Sequence, residues 1–207
     1  YEDGSLIDQI SERMENTDTI HVEKKIDREN SGHFEAITVH HAEIRYPNGQ
    51  ILSRRQMSYD QLYVTTSPLS PMEDFEIPQT KTEIEWQKIL NHTARQQLDF
   101  TWDELIKHYR IPVNLYDRFP LTYLHIYNHN RLPGFSRKQT EQAMGKLWDL
   151  LYRQYFTGIQ VKNEKTVSPI GSTVPLLLFA KDGSRFIVLV RTKTGENVKL
   201  VQPLTPD

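Results

Sequence analysis

No cysteine occurs in the 207 residues of this chain. Disulfides, iron–sulfur clusters, thiolate zinc sites and thiol nucleophiles are therefore excluded. The compartment stays open on that ground, since a chain without thiols tolerates oxidising and reducing surroundings alike. Long apolar runs are missing too. The stretch VPLLLFA at 174–180 falls far short of the roughly 18 residues that a membrane span requires. Neither sign of charge dominates. The formal net charge of −2 creates no global field to draw in nucleic acid or an anionic membrane. The glycine patterns of nucleotide sites are absent, both the phosphate-cradling loop and the dinucleotide fingerprint. So are the Gly-x-Ser-x-Gly elbow and Ser-x-x-Lys. No cofactor is indicated. A start at Tyr1 rather than Met suggests a fragment or processed product, with any signal or anchor upstream. A cytoplasmic location is slightly favoured, and an extracytoplasmic domain of an anchored protein is the alternative.

What is present describes a globular, somewhat polar chain, with 37% hydrophobic and 25% charged residues. Thr82…Glu85, Thr101…Glu104 and Ser136…Gln139 each place a hydroxyl three residues ahead of an acid or amide. That is the capping-box pattern, and it predicts three helix starts. Leu6, Ile7, Ile10 and Met14, with Ser5 as cap, predict a short amphipathic helix over 5–16. From 19 to 66 the pattern alternates. Phe34, Ala36, Thr38, His40 and Ala42 line one face of a strand; Glu35, Ile37, Val39, His41 and Glu43 line the other. Pro47-Asn48-Gly49-Gln50 predicts a hairpin turn, with a return strand from Ile51 into Tyr59–Thr66. The Pro-rich, acidic segment 67–81 reads as a linker.

A helical region follows from 82 to 156. Trp86, Ile89, Leu90, Ala94 and Leu98 form its first apolar stripe, and Phe100 is placed to staple onto Leu105. Pro112 and Pro120 cut the next segments short. A brief helix spans 121–130. The longest runs from Arg137 to Tyr155, with Ala143, Met144, Leu147, Leu151 and Tyr155 on its core face. Alternation returns after Gly158. Asp182-Gly183 and Thr194-Gly195 read as turns between runs 174–180, 185–192 and 197–203, and Ile159–Val161 is a candidate fourth strand. The expected fold is α+β, with N-terminal antiparallel strands, a central segment of about four helices and a C-terminal antiparallel β-meander. The expected division is 1–66, a linker at 67–81, and 82–207, with the last part able to join the first in one domain.

Candidate site residues cluster in the helical region. Tyr116, Tyr123 and Tyr127 have polar neighbours and are candidates for an interaction surface. Residues 101–119 fit a degenerate helix-turn-helix template, with Val113–Phe119 as reading helix and Arg118 at a phosphate position. Arg110 stands where the turn favours glycine, and Ile106 where close approach needs a small residue. His125 and His129 are four apart on a predicted helix, a spacing that suits two metal ligands. Ile126 replaces the glutamate such a hydrolase needs, and His108 is the available third ligand. His40 and His41 are adjacent on a strand and so point to opposite faces. Arg131, Arg137 and Lys138 surround Ser136 at a helix start, where free N–H groups and the dipole attract anions. Glu73, Asp74 and Glu76 read as a solvated acidic loop, and Asn91-His92-Thr93 as a chance sequon within a helix.

These features favour a non-enzymatic binding or scaffolding domain within a larger protein assembly, with a protein partner. The first alternative is a nucleic-acid-binding regulator using 101–119 and the Arg131/Arg137/Lys138 cluster. The second is a metal-dependent hydrolase using His125 and His129.

Overall fold

A computed structural model of the chain describes residues 1–67, 70–161 and 165–204. Two long strands dominate the N-terminal part, β1 (Gly32–Arg45) and β2 (Ile51–Ser67). They pair antiparallel from Gly32↔Val64 to Arg45↔Ile51. The reversal between them uses the expected turn: the Gly49 N–H donates to the Tyr46 carbonyl at 3.0 Å, and Gly49 takes a φ of +82°. Only glycine adopts that left-handed geometry freely. β3 (Ser70–Phe75) adds to β2 and gives the order β1-β2-β3. The segment expected as a linker therefore carries a strand; its residues 68 and 69 lie outside the described residues. Pro71 fits there because β3 is an edge strand, where a missing N–H removes no ladder bond.

The unbroken helix α1 (Lys81–His108) comes next. Its cap is Thr80. The Thr80 hydroxyl accepts from the Glu83 N–H at 3.2 Å, and the Glu83 carboxylate accepts from the Thr80 N–H. The start expected at Thr82 is thus two residues late, and the start expected at Thr101 does not occur. Thr101 is buried inside the helix, and Phe100 is exposed rather than stapled. No proline or glycine interrupts 81–108, and extending an existing helix costs far less than nucleating another.

Between Pro112 and Pro120 the chain makes one 3₁₀ turn, Val113–Leu115, and then β4 (Tyr116–Pro120). The helix-turn-helix expectation is corrected here, because its reading helix is a turn and a strand. Two prolines bracket too few residues to sustain a helix, and the edge of a C-terminal strand takes up their backbone groups instead. A 3₁₀ helix, Leu121–Asn128, and α2 (Arg137–Thr157) follow. Apart from the single turn, three helices are found among the described residues where about four are expected, since those expected at 82 and 101 are one.

β5 (Ile159–Gln160) and β6 (Thr166–Val167) form a small ladder of their own, so Ile159 does not extend the meander. The meander itself is β7 (Leu176–Ala180), β8 (Arg185–Arg191) and β9 (Asn197–Pro203), turning at the expected Asp182-Gly183 and Thr194-Gly195. β4 joins its edge, giving the order β4-β7-β8-β9. The fold is α+β with antiparallel sheets, and the N-terminal and C-terminal sheets are separate.

The main core lies against the C-terminal sheet. Every residue of β7 is buried, as are Phe186–Val190 of β8. Trp102, Leu105 and Ile106 of α1 and Ala143, Leu147 and Leu151 of α2 pack with them. The Trp102 indole N–H donates to the Val174 carbonyl at 2.9 Å and ties α1 to the chain entering β7. The helix expected over 5–16 is absent. Leu6 is buried, and its backbone N–H and carbonyl bond to Ser172 and Gly171 of the loop before β7. Those partners satisfy groups that a helix would otherwise have paired. No helix among the described residues is long and apolar enough to cross a membrane.

Candidate functional site

The β1–β2 pair extends well beyond the body. Residues 38–56 are all exposed, whereas Met57 is 2% exposed. From Thr38 to Arg45 the ribbon adds roughly 25 Å at an ordinary strand rise. Alternation there does not separate apolar from polar faces. Instead both faces mix types, as a ribbon wetted on two sides requires. Its end is apolar all the same: Ile44 is 55%, Tyr46 44%, Ile51 58% and Leu52 56% exposed. Ile44 and Leu52 are cross-strand partners, as are Arg45 and Ile51. Three arginines, Arg45, Arg54 and Arg55, accompany one acid, Glu43, in this stretch.

Three sets of contacts fix the ribbon at its root. The first is a row of stacked rings across the sheet. His33 stacks on Tyr63 at 4.3 Å and Tyr63 on Phe75 at 5.2 Å, following the register His33↔Tyr63↔Phe75. Such cross-strand pairs stabilise a sheet beyond the area they bury. The Tyr63 hydroxyl donates to Asn91 Oδ1 of α1 at 2.9 Å, so Asn91-His92-Thr93, read as a chance sequon, lies within a helix with its asparagine already engaged.

The second set surrounds Tyr59. Its ring stacks on His125 at 4.9 Å, and its hydroxyl donates to Glu35 at 3.0 Å. Burial, and then the neighbouring Glu35 carboxylate, push the phenol well above the usual tyrosine range. Tyr59 is therefore a fixed donor across the physiological range rather than a proton-transfer group. The third set bonds the free edge of β2. The Asn128 amide reaches both backbone groups of Met57, accepting from its N–H at 3.0 Å and donating to its carbonyl. One side chain thus replaces a neighbouring strand at the place where a buried edge would otherwise be unpaired. Further out, Arg55 pairs with Asp149 at 2.8 Å and donates to the Gly145 carbonyl at 3.1 Å, both on α2. Beyond Arg55, no hydrogen bond or ion pair joins residues 42–54 to the body among the described residues.

The other candidate residues are dispersed. Tyr116 is buried and its hydroxyl accepts from Arg185 at 3.0 Å, which removes it from any surface. Tyr127 packs edge-on against Phe119 at 5.3 Å, and burial raises its hydroxyl above the usual value. Tyr123 is exposed. Arg118 pairs with Asp103 at 3.2 Å beside an open cleft of about 410 Å³, which Asp99, Trp102 and Pro120 also line. Ser136 caps α2 as expected: its hydroxyl accepts from the Gln139 N–H at 3.1 Å, and its own N–H donates to the Gln139 side chain at 2.8 Å. The helix start thus supplies its own acceptor. Arg137 pairs with Glu141 at 3.1 Å, Lys138 is exposed yet engaged, and Arg131 is exposed.

His125 and His129 do not share a face as expected. They lie on and just after a 3₁₀ helix, where four residues turn the chain about 120° past a full revolution. His125 Nδ1 lies 2.8 Å from the Thr122 carbonyl and its ring is held on Tyr59. His108 meets Tyr109 edge-on. Among the described residues no group of three histidine or acidic side chains is placed to hold a metal ion. His40 and His41 do face opposite sides, opposite Gln56 and Arg55 respectively.

The residues that anchor the ribbon were invisible as a set. Asn128, Asp149 and Gly145 lie far from β2 in sequence and belong to no motif. The exposed end carried a readable signal, namely alternation without an apolar face around an Asn-Gly turn. No protein-family model, no curated protein and no solved structure matches the chain.

Proposed function

We propose that this chain is a non-enzymatic binding or scaffolding domain that works within a larger protein assembly and docks through its β1–β2 ribbon. One observation carries the reading: a ribbon rigidly anchored at Tyr59, Met57 and Arg55 holds Ile44, Tyr46, Ile51 and Leu52 in solvent, away from the core. Ile44 and Leu52 share one face of the ribbon end with Arg54, and Ile51 lies with Arg45 on the other; exposed apolar side chains beside arginine are the composition of a docking surface rather than of an ordinary wetted one. Both edges of the ribbon also leave strand groups able to pair with an added strand.

The test replaces residues 43–53 with Asn-Gly, which keeps the Ala42↔Arg54 pair and closes it with a tight turn. Intact and shortened chains are used as bait under identical conditions. A protein retained by the intact chain and lost from the shortened one supports the reading. The same retained set with both, or none with either, overturns it.

A further inference from the structure

Along an antiparallel strand every second residue turns its N–H and carbonyl away from the partner strand. On β1 those are the odd-numbered residues. The Glu35 N–H donates to the Tyr1 carbonyl at 2.9 Å, and the Tyr1 ammonium donates to the Glu35 carbonyl at 2.8 Å. The Asp3 N–H donates to the His33 carbonyl at 2.9 Å. Tyr1 to Asp3 therefore run antiparallel along the outer edge of β1, bridged at Glu2↔Phe34. Past Glu35 that edge is bare. The backbone groups of Ile37, Val39, His41, Glu43 and Arg45 bond nothing on that side among the described residues. The edge of β2 is interrupted by comparison. Asn128 holds both outward groups of Met57, and β3 takes over from Tyr63.

Nothing in the sequence protects the β1 edge. Residues 37–45 contain no proline, glycine or lysine, and their register against β2 runs without a bulge. Ile37, Thr38, Val39 and Ile44 are β-branched and suit a sheet. Glu43 and Arg45 pair with each other at 3.3 Å, so the edge carries little net charge. An edge without such devices is a template for any extended segment that reaches it.

α2 adds a floor on the body side. Gly145 and Asp149 meet Arg55 of β2, whereas Tyr155 meets Tyr1 through a 2.7 Å bond between hydroxyls. The helix thus passes beneath the ribbon from the β2 side to the outer edge of β1. Tyr152 and Phe156 fall on the stripe of Gly145 and Asp149 at helical spacing, toward the end nearer β1. Their rings lie 4.9 Å apart, and they are 57% and 41% exposed. Aromatic side chains left in solvent beside an open strand edge are a floor for the side chains of an added strand.

Resting on the docking role proposed above, we infer that the partner of the ribbon is an extended, low-charge peptide segment of another protein, which adds to β1 as a strand. It runs antiparallel, in line with Tyr1–Asp3, and exchanges backbone hydrogen bonds with Ile37, Val39, His41, Glu43 and Arg45. Its side chains on the α2 side are apolar and cover Tyr152 and Phe156. Backbone pairing supplies affinity and the aromatic floor supplies selectivity. A second β1 fits less well. Only pairing about His41 uses all five residues, and it sets Arg45, not an apolar side chain, opposite Ile37.

Random dodecapeptides displayed on phage and selected on the 207-residue chain supply the probe. The expected binder has apolar residues at alternate positions. N-methylation of its amides, one at a time, is expected to weaken binding at least about tenfold at every second position and little between, because alternate amides face β1. Bound peptide should slow hydrogen exchange at the Val39, His41 and Glu43 amides. Val39→Pro removes an edge N–H without losing a bond to β2, and Tyr152→Ser with Phe156→Ser strips the floor. Each is expected to weaken the peptide at least about fivefold, with circular dichroism confirming the fold. A library that yields no binder overturns the inference. So do peptides that show no two-residue period, leave those amides unprotected, or bind both variants as tightly as the parent. A protein retained through residues 43–53 that leaves Val39 and His41 unprotected overturns strand addition while leaving the docking role in place. Self-association that protects the same amides without peptide overturns the choice of partner.

Discussion

Asn128 holds both backbone groups of a residue that has only 2% of its surface exposed. The Met57 N–H and carbonyl lie on the side of β2 away from β1, where β3, which pairs only from Tyr63 onward, does not reach, and water has little access. Asn128→Ala removes a donor and an acceptor together. Each group left unsatisfied costs about 1–3 kcal/mol. The variant is expected to lose about 2 kcal/mol or more in urea unfolding, and the Met57 amide should exchange faster with solvent. Asn128→Asp is not a rescue, since its second oxygen would face the Met57 carbonyl. A loss within about 0.5 kcal/mol would show that the edge finds other partners. The same residue illustrates a limit of local reading. An asparagine near the end of a short helix suggests a cap or a turn. Its actual partner is 71 positions away, and nothing in its neighbours signals that.

At the scale of elements, α1 separates two superimposed capping patterns. Thr80…Glu83 and Thr82…Glu85 both satisfy the box, and only the first is used. Thr80→Ala is expected to cost about 0.5–2 kcal/mol of stability, and Thr82→Ala less than about 0.5 kcal/mol. Equal losses in chemical denaturation would mean that the helix starts at either threonine. The third pattern, at Thr101, fails for another reason. A capping box marks a start only where the preceding residues have left the helix, and here no breaker removes them. Thr101 is instead packed in the core one residue before Trp102. Elements whose signals are local were legible: α2 with its Ser136 box, the three meander strands with their glycine turns, and the β1–β2 hairpin. Elements decided by distant partners were not. β4 is a strand because β7 offers it an edge, and the segment around Leu6 is extended because Gly171 and Ser172 take its backbone bonds. The candidate site divides in the same way. The ribbon was readable from alternation and Asn-Gly, whereas its anchoring by Asn128, Asp149 and His125 depended on how α2 and the 3₁₀ helix pack.

On the scale of the whole molecule, the ribbon end and the body should be energetically separable. The core comprises α1, α2 and the C-terminal sheet, and no residue from 42 to 54 belongs to it. Among the described residues, the hydrogen bonds and ion pairs that link ribbon to body stop at Arg55. Replacing 43–53 with Asn-Gly therefore removes surface already in water, and shortening a closed loop changes its entropy by only about 1 kcal/mol. The unfolding free energy of the shortened chain is expected to stay within about 1 kcal/mol of the parent, with the urea m-value slightly reduced in step with the shorter chain. A loss above about 2 kcal/mol would place the ribbon end inside the folding unit.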